Sequence, residues 1–147
     1  MKTKLLAIVL LAFCMCSCDK DWNRVEGEVL TIYSAEASTV CTYHGVAADL
    51  HVNATHYDGV TNASVTLSAT SETIDHVRVT NERQNIDTTV SLPYAQIFHH
   101  PGLTINEEYE YTLSWQNGDE MRNLHLDYTI TWKNSNLSVD VFSSNDK

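Results

Sequence analysis

The second half of the chain alternates apolar and polar positions with little interruption. Leu124, Leu126, Tyr128, Ile130 and Trp132 are separated by His125, Asp127, Thr129 and Thr131. Successive side chains of a strand point to opposite faces, so this spacing predicts a strand with one buried side. Tyr109, Tyr111, Leu113 and Trp115 form a second such stripe. The connection between them, Gln116 to Glu120, contains Asn117-Gly118, a pair suited to the positive φ of a tight turn. Tyr109–Trp115 and Met121–Trp132 are therefore expected to form a hairpin. Shorter stretches rich in Val, Ile, Thr and Tyr predict further strands at Glu28–Tyr33, Ser38–Tyr43, Ala47–His56, Ser64–Ala69, Asp75–Thr80, Ile86–Leu92 and Leu137–Phe142. Turn-forming clusters lie between them at His44-Gly45, Asp58-Gly59, Asn81 to Asn85 and Pro101-Gly102, and His99-His100-Pro101 is expected in a loop. No helical period is sustained anywhere after Cys18. About eight short antiparallel strands in one domain-sized segment predict an all-β sandwich, with a barrel as the alternative.

The front of the chain follows different rules. Lys2 and Lys4 precede an unbroken apolar run from Leu5 to Phe13. A charged start and a short apolar core are the marks of a secretory signal peptide. Nine helical residues rise roughly 14 Å, about half the hydrocarbon thickness of a bilayer, so a permanent span is not expected. The run ends in Cys14-Met15-Cys16-Ser17-Cys18. Cys14 follows bulky Phe13 and Cys16 follows Met15, whereas Cys18 follows small Ser17. The segment resembles the lipobox of bacterial lipoproteins, with Met15 where Leu is usual. That resemblance implies cleavage after residue 17 and lipid on Cys18, and two or more acyl chains give stable anchoring. The expected organisation is a signal peptide over 1–17, a lipidated tether over 18–24 and a β-sandwich domain over 25–147. Asp19-Lys20-Asp21 resembles both inner-membrane retention signals and the surface-export signals of Bacteroidota-type lipoproteins. An outer-membrane or cell-surface address is the favoured expectation.

Charge narrows the partners. The chain carries 9 basic and 19 acidic residues, a net charge of −10, and loss of Lys2 and Lys4 with the signal makes it −12. Nucleic acid is not an expected partner, because binding its phosphates relies on basic surface. Of four cysteines, only Cys41 would remain free after cleavage and lipidation, so no intrachain disulfide is expected. Cys41 reads as a small buried hydrophobe.

A finer fold expectation rests on Leu103-Thr104-Ile105-Asn106-Glu107-Glu108-Tyr109. This stretch resembles the tyrosine corner of immunoglobulin-like and fibronectin type III domains, with Leu six residues before a Tyr that opens a strand. The resemblance implies an immunoglobulin-like β-sandwich in which Leu103 anchors the core and Tyr109 closes an inter-sheet corner. The family's usual Trp in an early core strand is absent from Ser64–Ala69.

Candidate chemistry is sparse. The histidines are His44, His51, His56, His76, His99, His100 and His125; His51 and His56, five apart, should face opposite sides of a strand. No HExxH or mature CxxC spacing occurs, so no metal or other cofactor is expected. Glu107, Glu108, Glu110, Asp119 and Glu120 read as a solvated acidic face, without an EF-hand pattern. No nucleophile elbow or phosphate loop is present, and catalysis is not expected. Aromatics offer a binding alternative, since exposed Trp22 and Trp115 would suit stacking on sugar rings, although Trp115 and Trp132 also continue apolar stripes. Asp87-Thr88-Thr89 resembles a short O-glycosylation acceptor of Bacteroidota-type envelope proteins. The expected function is a non-catalytic interaction module on a lipid tether, with the membrane and an envelope protein as partners. The alternative is a glycan-binding accessory lipoprotein for polysaccharide uptake.

Overall fold

The computed structural model describes residues 30–145. The signal region, Cys18 and Trp22 lie outside the described residues. Nine strands fill the described chain: β1 Tyr33–Tyr43, β2 Val46–Tyr57, β3 Val60–Ser71, β4 His76–Asn81, β5 Ile86–Ser91, β6 Tyr94–His100, β7 Glu108–Asn117, β8 Glu120–Lys133 and β9 Asn136–Asn145. A 3-10 turn, Glu82–Gln84, joins β4 to β5. The strands form two antiparallel sheets, ordered β1-β2-β3-β6 (sheet A) and β5-β4-β7-β8-β9 (sheet B). Among the described residues no strand pairing joins the sheets, so they do not close into a barrel.

Alternation explains the layering. β2 and β3 each bury every second residue, placing Val46, Leu50, Val52, Val65 and Leu67 against the opposing sheet. Sheet B answers with Tyr111, Leu113, Leu124, Leu126, Tyr128 and Ile130, all fully buried. β1 and β9 lie side by side where the sheets come closest, and Thr39 Oγ1 donates to Ser143 Oγ at 3.4 Å. β5 and β6 are the edges at the other side.

Turn chemistry sets the registers. The two residues between β1 and β2 are His44 (φ 44°) and Gly45 (φ 88°), and those between β2 and β3 are Asp58 (φ 54°) and Gly59 (φ 79°). Positive φ at both central positions gives the turn twist that matches paired strands. The β8–β9 hairpin uses Asn134 (φ 53°) and Ser135 (φ 61°) and has no glycine. The β6–β7 connection ties the sheets together: Leu103 N donates to Thr61 O at 3.1 Å and Asn106 N to Ile130 O at 2.8 Å.

Two expectations need correction. Tyr94–His100 is a strand, so His99 and His100 end β6 instead of lying in a loop. Its pattern is masked because Ala95, Gln96 and Ile97 are exposed consecutively on an edge strand. At the start, a strand was expected over Glu28–Tyr33; residues 30–32 are outside any strand and β1 runs unbroken from Tyr33. Small Ala35 and Ala37, half-buried on the inner side, carry β1 through a stretch with no large apolar residue.

Candidate interaction surface

The outer face of sheet A follows directly from the register. Cross-strand neighbours share a face, so Ser38, His51, Thr66 and Ile97 form one row, and Val40, Asp49, Ser68 and Ala95 the next. Glu36, Asn53, Ser64 and His99 form a third. Short hydroxyl, amide and methyl side chains dominate these rows. The four strands contain no lysine or arginine, and their acids are Glu36 and Asp49. Against this low relief stand Val40, 68% exposed, and Ile97, 61% exposed. Beside them, Ala47, Asp49, Ser68, Thr70, Tyr94 and Ala95 line a shallow depression of about 500 Å³. Tyr94 at its rim donates to Gln96 Oε1, and burial pushes the phenol's pKa up.

The outer face of sheet B has the opposite character. Arg78 holds Asp87 through two bonds of 2.8 Å, which keep that exposed carboxyl below the usual range. Arg83 pairs with Glu107, and His125 Nδ1 with Glu110 Oε2 at 2.9 Å, whereas the Arg122 Nη2–Glu120 pair of 2.8 Å lies on the inner-face parity beside buried Trp115. A polar groove of about 500 Å³ runs between Glu82, Arg83, Glu108 and Glu110. Asp127 lies opposite Glu110 on β7 and Phe142 on β9, and is only 9% exposed. Its Oδ1 has no hydrogen-bond partner among the described residues. Burial first, then the neighbouring charges of Glu110 and Glu108, push its carboxyl up to about 6, with His125 acting in the other direction.

A third polar group is internal. Near the β5–β6 side, Gln84 Nε2 donates to His100 Nε2, while Tyr111 Oη donates to Gln84 Oε1 at 3.2 Å. Tyr128 Oη lies 3.5 Å from the same histidine nitrogen. Burial, and then His99, lower the His100 pKa, in keeping with a neutral ring that accepts. Tyr109 stacks on Tyr128 with ring centres 5.0 Å apart, and Arg83 sits 5.7 Å from the Tyr109 ring centre. Aromatic packing therefore fixes Tyr109 at the start of β7. Gln84 thus serves both Tyr111 and His100, while Asn81, which donates to Gln84 Oε1 at 3.4 Å, keeps a buried Oδ1 without a partner among the described residues.

The expected site residues separate. Trp115 is 3% exposed and packs edge-on against Tyr43 at 6.2 Å, so its ring is unavailable as an exposed stacking platform. Trp132 is half-buried and stacks on His56 at 3.6 Å, with Tyr33 edge-on at 5.0 Å. His51 and His56 do face opposite ways: His51 lies on the outer row and His56 is buried, bonded to Thr61 at 2.6 Å. Cys41 is free and half-buried, packed against the core. Glu107, Glu110 and Glu120 pair with separate bases, and among the described residues no three His, Cys, Asp or Glu side chains are grouped to hold a metal ion. Thr88 and Thr89 are exposed on β5. No helix among the described residues is long and apolar enough to cross a membrane. Sequence reading missed the sheet A face because it tracked apolar stripes. The signal lay in the other parity of the same strands, where charge is nearly absent. Comparison with known proteins finds no family model, no curated protein and no solved structure that matches the chain.

Proposed function

We propose that the protein is a lipid-anchored envelope or cell-surface protein acting as a non-catalytic interaction module, with the outer face of sheet A as its contact surface. The observation that carries this reading is the exposure of Val40 and Ile97 on a sheet face without a single lysine or arginine. Interface centres are depleted in charge relative to the remaining surface, and a net charge of −10 makes an almost uncharged face exceptional in this chain. The lipid on Cys18 would confine the domain to a surface and raise its effective concentration for partners there.

The domain is best read as immunoglobulin-like. The core order β2-β3-β6 against β5-β4-β7-β8 resembles that of fibronectin type III domains, with β1 and β9 added at one side. Leu103 lies within the connection that bridges the sheets and Tyr109 near the start of β7, which supports the tyrosine-corner reading.

Metabolic labelling with a clickable fatty acid, combined with protease shaving of intact cells, tests the anchor. Wild type should be labelled and shaved, and Cys18→Ala should lose the label. An unlabelled wild type overturns the lipid anchor, and a labelled but fully protected one moves the module to an inward-facing complex.

A further inference from the structure

The outer face of sheet A, with no lysine or arginine, raises the question of what covers it. We infer that the outer face of sheet A is the self-association surface of the protein, pairing face to face with the same face of a second copy. The inference rests on the reading of this face as the contact surface and names its partner.

Three features select a second copy. The first is area. Strands about 4.8 Å apart, with 11, 12, 12 and 7 residues rising roughly 3.3 Å each, make a face of roughly 650 Å². Two such faces bury about 1,300 Å², inside the range of stable specific interfaces. The second is relief. A two-fold contact requires one patch to carry both the projection and its receptor. Ile97 projects, 61% exposed, and one row away lies the depression of about 500 Å³ lined by Val40, Ala47, Asp49, Ser68 and Ala95. A rotated copy can seat its Ile97 in that hollow while receiving the first copy's Ile97 in its own. The third is charge. Two copies of an acidic chain repel wherever their carboxylates meet, so the face with the fewest is favoured, here the one whose only acids are Glu36 and Asp49. Sheet A carries Glu36 and Asp49, whereas the strands of sheet B carry Asp87, Glu108, Glu110, Glu120, Asp127 and Asp140. Pairing through sheet A turns the acidic faces outward to water. Sheets stack about 10 Å apart, and short Ser, Thr and Ala side chains permit that approach.

The test uses the full chain in its own membrane. Thr66→Cys places a thiol in the middle of the face, and Ser114→Cys places one on the outer face of sheet B as the control. After treatment of intact cells with a short bismaleimide, Thr66→Cys should give a band at twice the chain mass, and Ser114→Cys should not. Adding Ile97→Lys to Thr66→Cys should reduce that band at least tenfold. Asn53→Cys, exposed on the same face, provides a second reporter should Thr66→Cys fold poorly. No doubled band from either reporter above the control overturns the inference. A band of another mass at these positions overturns self-pairing but spares the contact face, since another protein then occupies it. Absence of any adduct at both positions removes the contact face as well.

Discussion

The two sheets divide the work of one core unequally. Sheet A contributes small inner residues, among them Ala48, Ala54, Ala63 and Ala69, whereas sheet B contributes Tyr109, Tyr111, Trp115 and Tyr128. The imbalance reverses on the outside. There sheet A shows a low surface of short neutral side chains, and sheet B shows long charged ones paired to each other. Across the inter-sheet gap the rings of sheet B meet Tyr43, Phe98 and His100 of sheet A. Short side chains leave the outer surface of sheet A flat enough to meet another surface. Packing inside and recognition outside are thus two consequences of strand alternation.

The largest effect should come from reversing the inner division. Leu126, fully buried on β8, would leave a cavity when cut to alanine. Leu126→Ala is expected to cost about 2–5 kcal/mol in urea denaturation. Ala48→Leu inserts bulk at a position 1% exposed and should cost about 1–3 kcal/mol through overpacking. Combining the two should recover part of the loss if the sheets share one repackable core. A double variant as unstable as the sum of the single ones would mean that they pack independently.

A second difference concerns pH. Asp127 has a folded-state pKa of about 6 against an ordinary value of 3.8. The folded protein holds this proton more tightly than the unfolded chain. The corresponding stability is fully present below pH 4 and is lost as pH rises through about 6. Asn mimics the protonated acid, so Asp127→Asn should leave stability unchanged at pH 4 and raise it at pH 7.5. Allowing for water around exposed Glu108 and Glu110, the gain is on the order of 1 kcal/mol. Denaturant midpoints at the two pH values measure it, and equal shifts at both would show that Asp127 is not the titrating group.

Strands with a buried apolar stripe were legible in the sequence, because water enforces alternation wherever one face is covered. Tyr109–Trp115 and Met121–Trp132 correspond to β7 and β8 for that reason. β6 escaped because, at a sheet edge, its neighbouring side chains are exposed on both faces and the rule has nothing to enforce. The partition into two sheets depends on long-range pairing, such as β3 with β6, which no local pattern encodes. Asp127 was unreadable as a perturbed acid for a similar reason. Its environment comes from Glu110 on β7 and Phe142 on β9, brought alongside by pairing alone. The sheet A face was readable in principle, since once the strands are known, their second parity spells out a neutral surface.

The smallest prediction returns to the turns, where the sheets differ once more. Both two-residue hairpins of sheet A end in glycine, at Gly45 and Gly59, whereas the β8–β9 hairpin of sheet B holds Asn134 and Ser135 at φ 53° and 61°. Asn tolerates the left-handed region through its short polar side chain, but the Ser135 Cβ crowds the neighbouring carbonyl there. Removing that Cβ relieves strain in the folded state and adds freedom to the unfolded one, so the two effects oppose. The left-handed penalty is the larger, and Ser135→Gly should stabilise the fold by about 0.5 kcal/mol. Gly45→Ser is the inverse experiment and should destabilise by more. The added Cβ would meet Thr73 Oγ1 at 3.1 Å as well as adopting the unfavourable φ. Thermal melts of the two variants should therefore move in opposite directions. A Ser135→Gly protein that melts no higher than wild type would mean that the strands dictate the β8–β9 turn and that its central residues carry no strain of their own.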